Sequence, residues 1–126
     1  PYSGLHQHAA QLLGYPNLAV IKGDGGEIER NPDNVMTAFI CRDGELSEEQ
    51  WPALFSRRHV KAEDMSAEYM RKLWRGDLED DYAHGAIIGT TALALRQLEK
   101  DLNQDQALDR ARLLWSERDH SRALGG

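Results

Sequence analysis

Three stretches in the first third of the chain have clear hydrophobic patterns. Apolar or small residues recur every three or four positions over residues 5–13, which predicts a helix, and Gly14 follows as a typical stop signal. Residues 18–21 are then continuously apolar. That pattern is typical of a strand buried on both faces, as in parallel sheets that are covered by helices. Residues 35–41 are rich in β-formers and predict a second strand.

The pattern changes after the turn signal Arg42-Asp43-Gly44-Glu45. Ser47-Glu48-Glu49-Gln50 has the spacing of a capping box, which predicts that a helix begins there. A second helix is predicted over residues 64–75, with Ser66 as its cap and Gly76 as its stop.

Two more helices complete the predicted order. Residues 83–102 have small and apolar side chains on all sides, which indicates a buried helix. The acidic run 77–81 precedes it and complements its N-terminus. A last helix begins after Asn103 or Asp105 and ends near Asp119.

This order, one helix, few strands and then several helices, predicts an α/β fold for residues 1–126 as part of a single domain. Two strands do not make a stable sheet with so many helices, so we expect the partner strands to lie elsewhere. The first residue is Pro1 rather than methionine, and we expect the chain to be a piece of a longer polypeptide.

Composition narrows the functional classes. The net charge of −6 disfavours a broad nucleic-acid surface, because phosphate binding needs concentrated lysine and arginine. A single cysteine, Cys41, excludes an internal disulfide framework and predicts a cytoplasmic protein with a buried thiol. No apolar run is long enough to cross a bilayer.

The most informative stretch is Ala19-Val-Ile-Lys-Gly-Asp-Gly-Gly-Glu-Ile-Glu-Arg-Asn-Pro-Asp33, which follows the first strand with three glycines and several acids. Glycine-rich loops at strand ends can bind phosphate, but neither the dinucleotide nor the P-loop spacing is present. The acids repel phosphate unless Mg²⁺ lies between them. From spacing alone, a simple turn and a ligand-binding loop both remain open.

Other candidate residues carry weaker signals. The histidines lack the spacing of a zinc site, and the tryptophans at positions 51, 74 and 115 are expected in helices, in the core. The basic cluster Arg57-Arg58-His59-Val60-Lys61 is either a solvated loop or a phosphate contact. No Ser/His/Asp or Cys/His nucleophilic set can be assembled.

Several motifs together resemble a known family. HAAQLLGYPN, AVIKG, DGGEIE, the Arg-Asp-Gly turn and the late segments WRGDLEDDYAHGAIIGTTALALRQLEK and ALDRARLLWSER occur in this order. They resemble the C-terminal part of anthranilate phosphoribosyltransferase-like proteins, which belong to the family 3 glycosyltransferases together with pyrimidine nucleoside phosphorylases. The similarity is greatest to a paralogous branch with K-G-x-G-G-E. It implies an α/β/α domain of the phosphoribosyltransferase and nucleoside-phosphorylase type.

The resemblance also implies site residues. The biosynthetic enzymes carry H-G-x-G-x-D-E here, and the adjacent acids hold Mg²⁺. Lys22 stands at the histidine position and Glu27 at the aspartate position, but Ile28 replaces the glutamate. The implied phosphate-binding residues are Lys22, Gly23 and Gly25, and the implied metal ligands are Asp24, Glu27 and Glu29.

By resemblance, the parent protein binds phosphoribosyl pyrophosphate with Mg²⁺ and transfers the phosphoribosyl group to an unknown acceptor. The parent is expected to be a homodimer. The pyrophosphate-binding G-T-G-G-D segment of the family does not occur here, so we expect the chain to be inactive by itself. The alternatives are a non-enzymatic relative that binds nucleic acid, which the altered acidic pair favours, and a binding scaffold with neither activity.

Overall fold

The computed structural model describes residues 2–21, 30–55 and 66–122, with four helices and three strands in these ranges. The helices are α1 (Tyr2–Leu13), α2 (Ala67–Arg75), α3 (Asp81–Leu98) and α4 (Gln104–Ser116). The strands are β1 (Asn17–Val20), β2 (Met36–Arg42) and β3 (Glu45–Trp51). The mixed α and β content predicted from the sequence is confirmed.

The three strands form one antiparallel sheet in the order β1-β2-β3. Ala19 pairs with Ile40, and Ala38 pairs with Glu49. The prediction of a parallel strand buried on both faces is therefore wrong for β1, whose residues alternate between exposed and half-buried. The continuous apolar run was misleading because a short edge strand needs only one covered face.

β2 and β3 form a tight hairpin through Asp43 and Gly44, which both have positive φ angles, 51° and 83°. Two left-handed residues in a two-residue loop match the twist of the flanking strands. The predicted helix at residues 47–50 is wrong, because these residues lie within β3. Trp51 is 1% exposed, as expected for a core residue, but it ends a strand rather than lying on a helix.

The sheet has helices on both faces. On one side, α1 inserts Gln7, whose Nε2 donates to the backbone oxygens of Ile40 at 2.7 Å and Ser47 at 2.9 Å. Cys41 is fully buried on this side, as predicted. Because side chains alternate along a strand, Ile40 faces the other side, towards α3. There the buried core joins the sheet to α3 and α4 through Ala38, Ile40, Trp51, Ile88, Ala92, Ala107 and Ala111.

The helix ends follow from local capping. Ser66 caps α2 and Gly76 ends it in a left-handed conformation, both as predicted. Asp80 caps α3 by accepting from the Ala83 backbone N–H, so the acidic run has the predicted position at a helix start. Asn103 caps α4 in a capping box with Gln106.

The described part of the chain contains three helices after the sheet, not the four that were predicted, because residues 45–51 supply a third strand instead. That strand also removes the argument for missing partner strands, since three strands packed on helices suffice for a stable sheet. Among the described residues, no helix is long and apolar enough to cross a membrane.

Candidate functional site

The predicted site residues fall in one short stretch, residues 22–29, which we call the acidic-glycine segment. Its members Lys22, Gly23, Asp24, Gly25, Glu27 and Glu29 all lie outside the described residues. The basic cluster at 57–61 lies outside them as well. The structure therefore shows the residues that precede and follow the segment, and the contacts that these residues make.

Ile21 precedes the acidic-glycine segment directly after β1. Its side chain is half-buried and packs against the hydrophobic core. It also lines a cavity of about 220 Å³ between the sheet and α3. The end of β1 is thus held by apolar contacts, and the chain leaves it at the edge of a cavity.

Arg30 follows the segment and is anchored more firmly. Its backbone N–H donates to Oγ1 of Thr90 on α3 at 2.9 Å. Its side chain is only 2% exposed, and Nη2 donates to the backbone oxygens of Trp51, at 3.3 Å, and of Pro52. These contacts fix the point where the chain returns to the fold.

The charge of Arg30 is only partly compensated within the described structure. Nε and Nη1 are buried and have no hydrogen-bond partner among the described residues. Burial lowers the pKa of the Arg30 guanidinium, because desolvation disfavours its charged form, but an arginine at neutral pH keeps its proton. A buried positive charge of this kind favours an anionic group close to it.

Two glycines of α3 allow these close approaches. A Cβ at Gly89 would lie 2.8 Å from Cδ of Arg30. A Cβ at Gly85 would lie 2.7 Å from Cβ of Pro32 and 2.5 Å from the Phe55 ring. The two glycines are four positions apart and lie on one side of the helix. They therefore allow Arg30 and Pro32, which precede β2, and Phe55, which follows β3, to pack directly on α3.

The cavity beside Ile21 has mostly apolar walls, formed by Ala19, Ile21, Ala38, Ile40, Leu93 and Ala94. Its polar members include Thr90, Glu49 and Arg96. Glu49 and Arg96 form an ion pair at 2.6 Å. The cavity is smaller than typical ligand pockets of about 300–1,000 Å³, so it fits a small group rather than a whole substrate.

A second, more polar cavity of about 350 Å³ lies between α2, α3 and α4. Arg118 forms its main feature: the guanidinium lies 3.8 Å from the Trp115 ring centre and donates to the backbone oxygens of Trp74 and Trp115, both at 2.7 Å. The rings of Trp74 and Trp115 meet edge to face at 5.7 Å. These contacts connect the end of α2 to the end of α4, so Arg118 has a structural role in the packing of the two helices.

The structure describes both histidines of α1, His6 and His8. His6 and His8 are both exposed, and their two-residue spacing places them on different sides of α1. In the described ranges, no group of three or more His, Cys, Asp or Glu side chains is arranged to hold a metal ion.

Sequence reasoning missed the residues that flank the segment. The sequence pattern assigned no role to Arg30, and it gave Thr90 only a place within the predicted buried helix at residues 83–102. The available signals were an arginine placed directly after an acidic stretch and the Gly85/Gly89 spacing on α3. Neither signal identifies a contact between positions that are 60 residues apart.

The chain matches no protein-family model, and no curated protein was found to match its sequence.

Proposed function

We propose that this chain is the C-terminal part of a phosphoribosyltransferase-like domain whose parent binds phosphoribosyl pyrophosphate with Mg²⁺. The parent would transfer the phosphoribosyl group to an acceptor that the sequence does not identify. In this proposal Lys22 neutralises phosphate charge, Gly23 and Gly25 allow close approach of the ligand, and the neighbouring acids hold the metal. Those acids are Asp24, Glu27 and Glu29.

The observation that carries the proposal is the anchoring of both flanks of the acidic-glycine segment. Ile21 lies against a cavity, and Arg30 is fixed to Thr90 and Trp51. A segment whose two ends are held by the sheet and by α3 begins and ends at defined places. This arrangement reduces the conformational entropy that ligand binding would otherwise have to offset.

Charge also supports an anionic ligand with a metal. The segment itself carries Lys22 and three acids, so it is not complementary to phosphate alone. Mg²⁺ would neutralise phosphate charge and orient its oxygens, which is the chemistry that such a metal supplies when bound. Arg30 adds a buried positive charge next to the segment and favours anions there at longer range.

The chain's own residues would contribute mainly by positioning. The ammonium group of Lys22 is a compact, strongly hydrated charge on a flexible side chain. It would neutralise a phosphate group without the fixed bidentate geometry of an arginine. Glu27 and Glu29 are separated by Ile28, so they differ from the adjacent acids of the family pattern. We therefore expect weaker metal binding than an adjacent pair would give.

The second candidate function is nucleic-acid binding by a relative that has lost the transferase chemistry. The isoleucine between the two acids favours it, because the family metal pair is not preserved. The net charge of −6 opposes it. In the described part of the chain, Arg42 and Arg96 donate to backbone oxygens at the end of α3, and Arg96 also pairs with Glu49, so these arginines have structural partners.

Calorimetric titration of the full-length parent protein with phosphoribosyl pyrophosphate tests the first function. We expect Mg²⁺-dependent binding, and we expect Glu27→Gln combined with Glu29→Gln to weaken it at least tenfold, roughly 1.4 kcal/mol. Glu48→Gln is the matched control, because Glu48 is an exposed acid on β3. No Mg²⁺-dependent binding up to roughly 1 mM ligand would contradict the proposal.

A DNA mobility-shift assay tests the second function. Binding that weakens steeply as salt rises, without any response to phosphoribosyl pyrophosphate, would favour the nucleic-acid alternative. Under the first proposal, we expect no shift at physiological salt. The two assays therefore separate the two functions without assuming an acceptor substrate.

A further inference from the structure

The cavity between the sheet and α3 is bordered by small side chains on facing elements. Ala19 on β1 pairs with Ile40 on β2, and Ala38 on β2 pairs with Glu49 on β3. These residues share the face of the sheet that α3 covers, and α3 contributes Ala94 opposite them. Protein interiors contain few voids larger than a water molecule, so a cavity of about 220 Å³ is an unusual feature.

Helix α3 borders the cavity with one of its sides. Thr90, Leu93, Ala94 and Gln97 all line it, and their spacing of three and four positions places them on the same side of the helix. Thr90 and Gln97 are seven residues apart, which corresponds to roughly 10 Å along the helix axis. The cavity is therefore long enough for one ring with a short substituent.

Hydrogen bonds at both ends of the cavity keep α3 at a fixed distance from the sheet. At one end, Thr90 accepts the backbone N–H of Arg30 at 2.9 Å. At the other end, Nδ2 of Asn17 donates to the backbone oxygen of Gln97 at 2.8 Å, and Nε2 of Gln97 donates to Oδ1 of Asn17. Arg42 donates to the same backbone oxygen at 3.3 Å. The cavity thus resists the collapse that would otherwise close it.

Two residues of the cavity wall have buried N–H groups without an acceptor. Trp51 is 1% exposed, and its Nε1 has no hydrogen-bond partner among the described residues. The same holds for Nε of Arg96, whose terminal nitrogens donate to Glu49 and to the Lys100 backbone oxygen, both at 2.6 Å. A buried donor without an acceptor costs free energy, so a ligand that supplies an acceptor here is favoured.

We propose that this cavity binds a neutral ligand that consists of one aromatic ring with a carbonyl oxygen, and that Nε1 of Trp51 donates to this oxygen. An apolar cavity of about 150 Å³ is sufficient to bind benzene, so the larger cavity accommodates a ring with a short substituent. The mostly apolar walls suit the ring, and Trp51 adds an aromatic surface to them.

The charges of the wall favour a neutral ligand over an ion. Glu49 and Arg96 already neutralise each other through their ion pair. An anionic ligand would lie near the Glu49 carboxylate and would lose its hydration against apolar walls. A cationic ligand would meet Arg96 and would supply no acceptor for the unpaired donors. This inference stands apart from the proposed transferase function, because it uses neither the acids of the acidic-glycine segment nor a metal.

The indole N–H signals in NMR spectra of the full-length parent protein test the proposal, with acetophenone as the probe. We expect the Trp51 signal to shift along a saturable curve, with a Kd of about 1 mM or lower. Nε1 of Trp74 already donates to the Asp119 backbone oxygen at 2.8 Å, and the Trp115 ring is covered by Arg118, so these two signals should stay in place. No saturable Trp51 shift up to roughly 10 mM probe, or equal shifts of all three signals, overturns the proposal.

Two further probes test the chemistry of the ligand. Ethylbenzene has a similar shape but lacks the acceptor, so it should bind at least about threefold more weakly than acetophenone. Benzoate carries a negative charge and should also bind at least about threefold more weakly. Equal binding of ethylbenzene would overturn the assigned hydrogen bond, and tighter binding of benzoate would overturn the neutral ligand class.

Two variants test the location of the ligand. Ala94→Phe fills the cavity from α3, and Ala19→Phe fills it from β1; both alanines are exposed in part at the cavity mouth, so we expect both variants to fold. Each should weaken acetophenone binding at least about tenfold. Ala9→Phe is the matched control, because Ala9 is an exposed alanine on α1, across the sheet from the cavity. Circular dichroism verifies folding, and unchanged binding by both cavity variants overturns the proposal.

Discussion

The guanidinium carbon of Arg30 lies 6.0 Å from the centre of the Trp51 ring, and Nη2 of Arg30 donates to the Trp51 backbone oxygen at 3.3 Å. The first residue after the acidic-glycine segment is thereby fixed to the last residue of β3. Both residues are almost completely buried. The point at which the chain rejoins the fold after the acidic-glycine segment thus depends on a contact within the core rather than on surface residues.

The close approach of Arg30 to α3 depends on the missing side chain at Gly89. We expect Gly89→Ala to destabilise the fold by about 1–3 kcal/mol, because its Cβ would lie 2.8 Å from Cδ of Arg30. Combining it with Arg30→Ala removes that clash, so the double variant should lose less stability than the sum of the single changes. Urea unfolding of the four proteins measures the coupling. Strict additivity would contradict the contact.

The hydroxyl of Thr90 accepts the backbone N–H of Arg30 at 2.9 Å. Thr90→Val removes the acceptor while keeping the shape, so it should lower the free energy of unfolding by about 1–3 kcal/mol. Thr90→Ser keeps the hydroxyl and should cost less than the valine variant. Chemical denaturation compares the two. Equal losses would indicate that packing of the methyl group, rather than the hydrogen bond, determines the effect.

The β2–β3 hairpin requires a left-handed residue at Gly44, with φ of 83°. Gly44→Ala should therefore destabilise the protein by about 1–2 kcal/mol. Gly4 in α1 offers the opposite case, because a Cβ there meets no atom within 4 Å. Gly4→Ala should stabilise the protein by about 0.5–1 kcal/mol. Thermal unfolding of the two variants would reveal these opposite signs, and shifts in the same direction would contradict the turn geometry.

His84 predicts a pH dependence of stability. Burial and the neighbouring Arg112 and Arg118 lower its pKa, although Asp81 acts in the opposite direction. The unfolded chain therefore takes up the proton more readily, so stability should fall as pH decreases below about 6.5. The contribution is fully present above that pH. Urea unfolding between roughly pH 5 and 7.5 should show a smaller decrease for His84→Gln than for the unmodified chain. Identical decreases would contradict this role for His84.

The fold was predicted best where local signals are strong. Ser66, Gly76 and Asn103 cap helices as their residue types indicate, because capping depends on groups that lie within a few positions. Residues 47–50 show the opposite case. Their capping-box spacing indicated a helix, but pairing with β2 places them in a strand, since tertiary pairing overrides weak local preference.

The Asp43-Gly44 turn contained the information that would have corrected this error. Two residues of this type between two extended segments indicate a hairpin, so the segment after the turn should have been read as a strand. The contacts of the residues that flank the candidate site could not be predicted from local sequence patterns of this kind. The contact between Arg30 and Thr90 joins positions 60 apart and depends on how α3 packs against the sheet.

Paramagnetic broadening by Mn²⁺ tests the central claim most directly, because this ion substitutes for Mg²⁺ at oxygen sites. In amide NMR spectra of the full-length parent protein recorded with phosphoribosyl pyrophosphate, we predict broadening centred on residues 22–29 and extending to Ile21 and Arg30. The combined Glu27→Gln and Glu29→Gln changes should remove it, whereas Glu48→Gln should not. Broadening centred instead on the acidic run 77–81, or spread evenly over the exposed acids, would contradict the account.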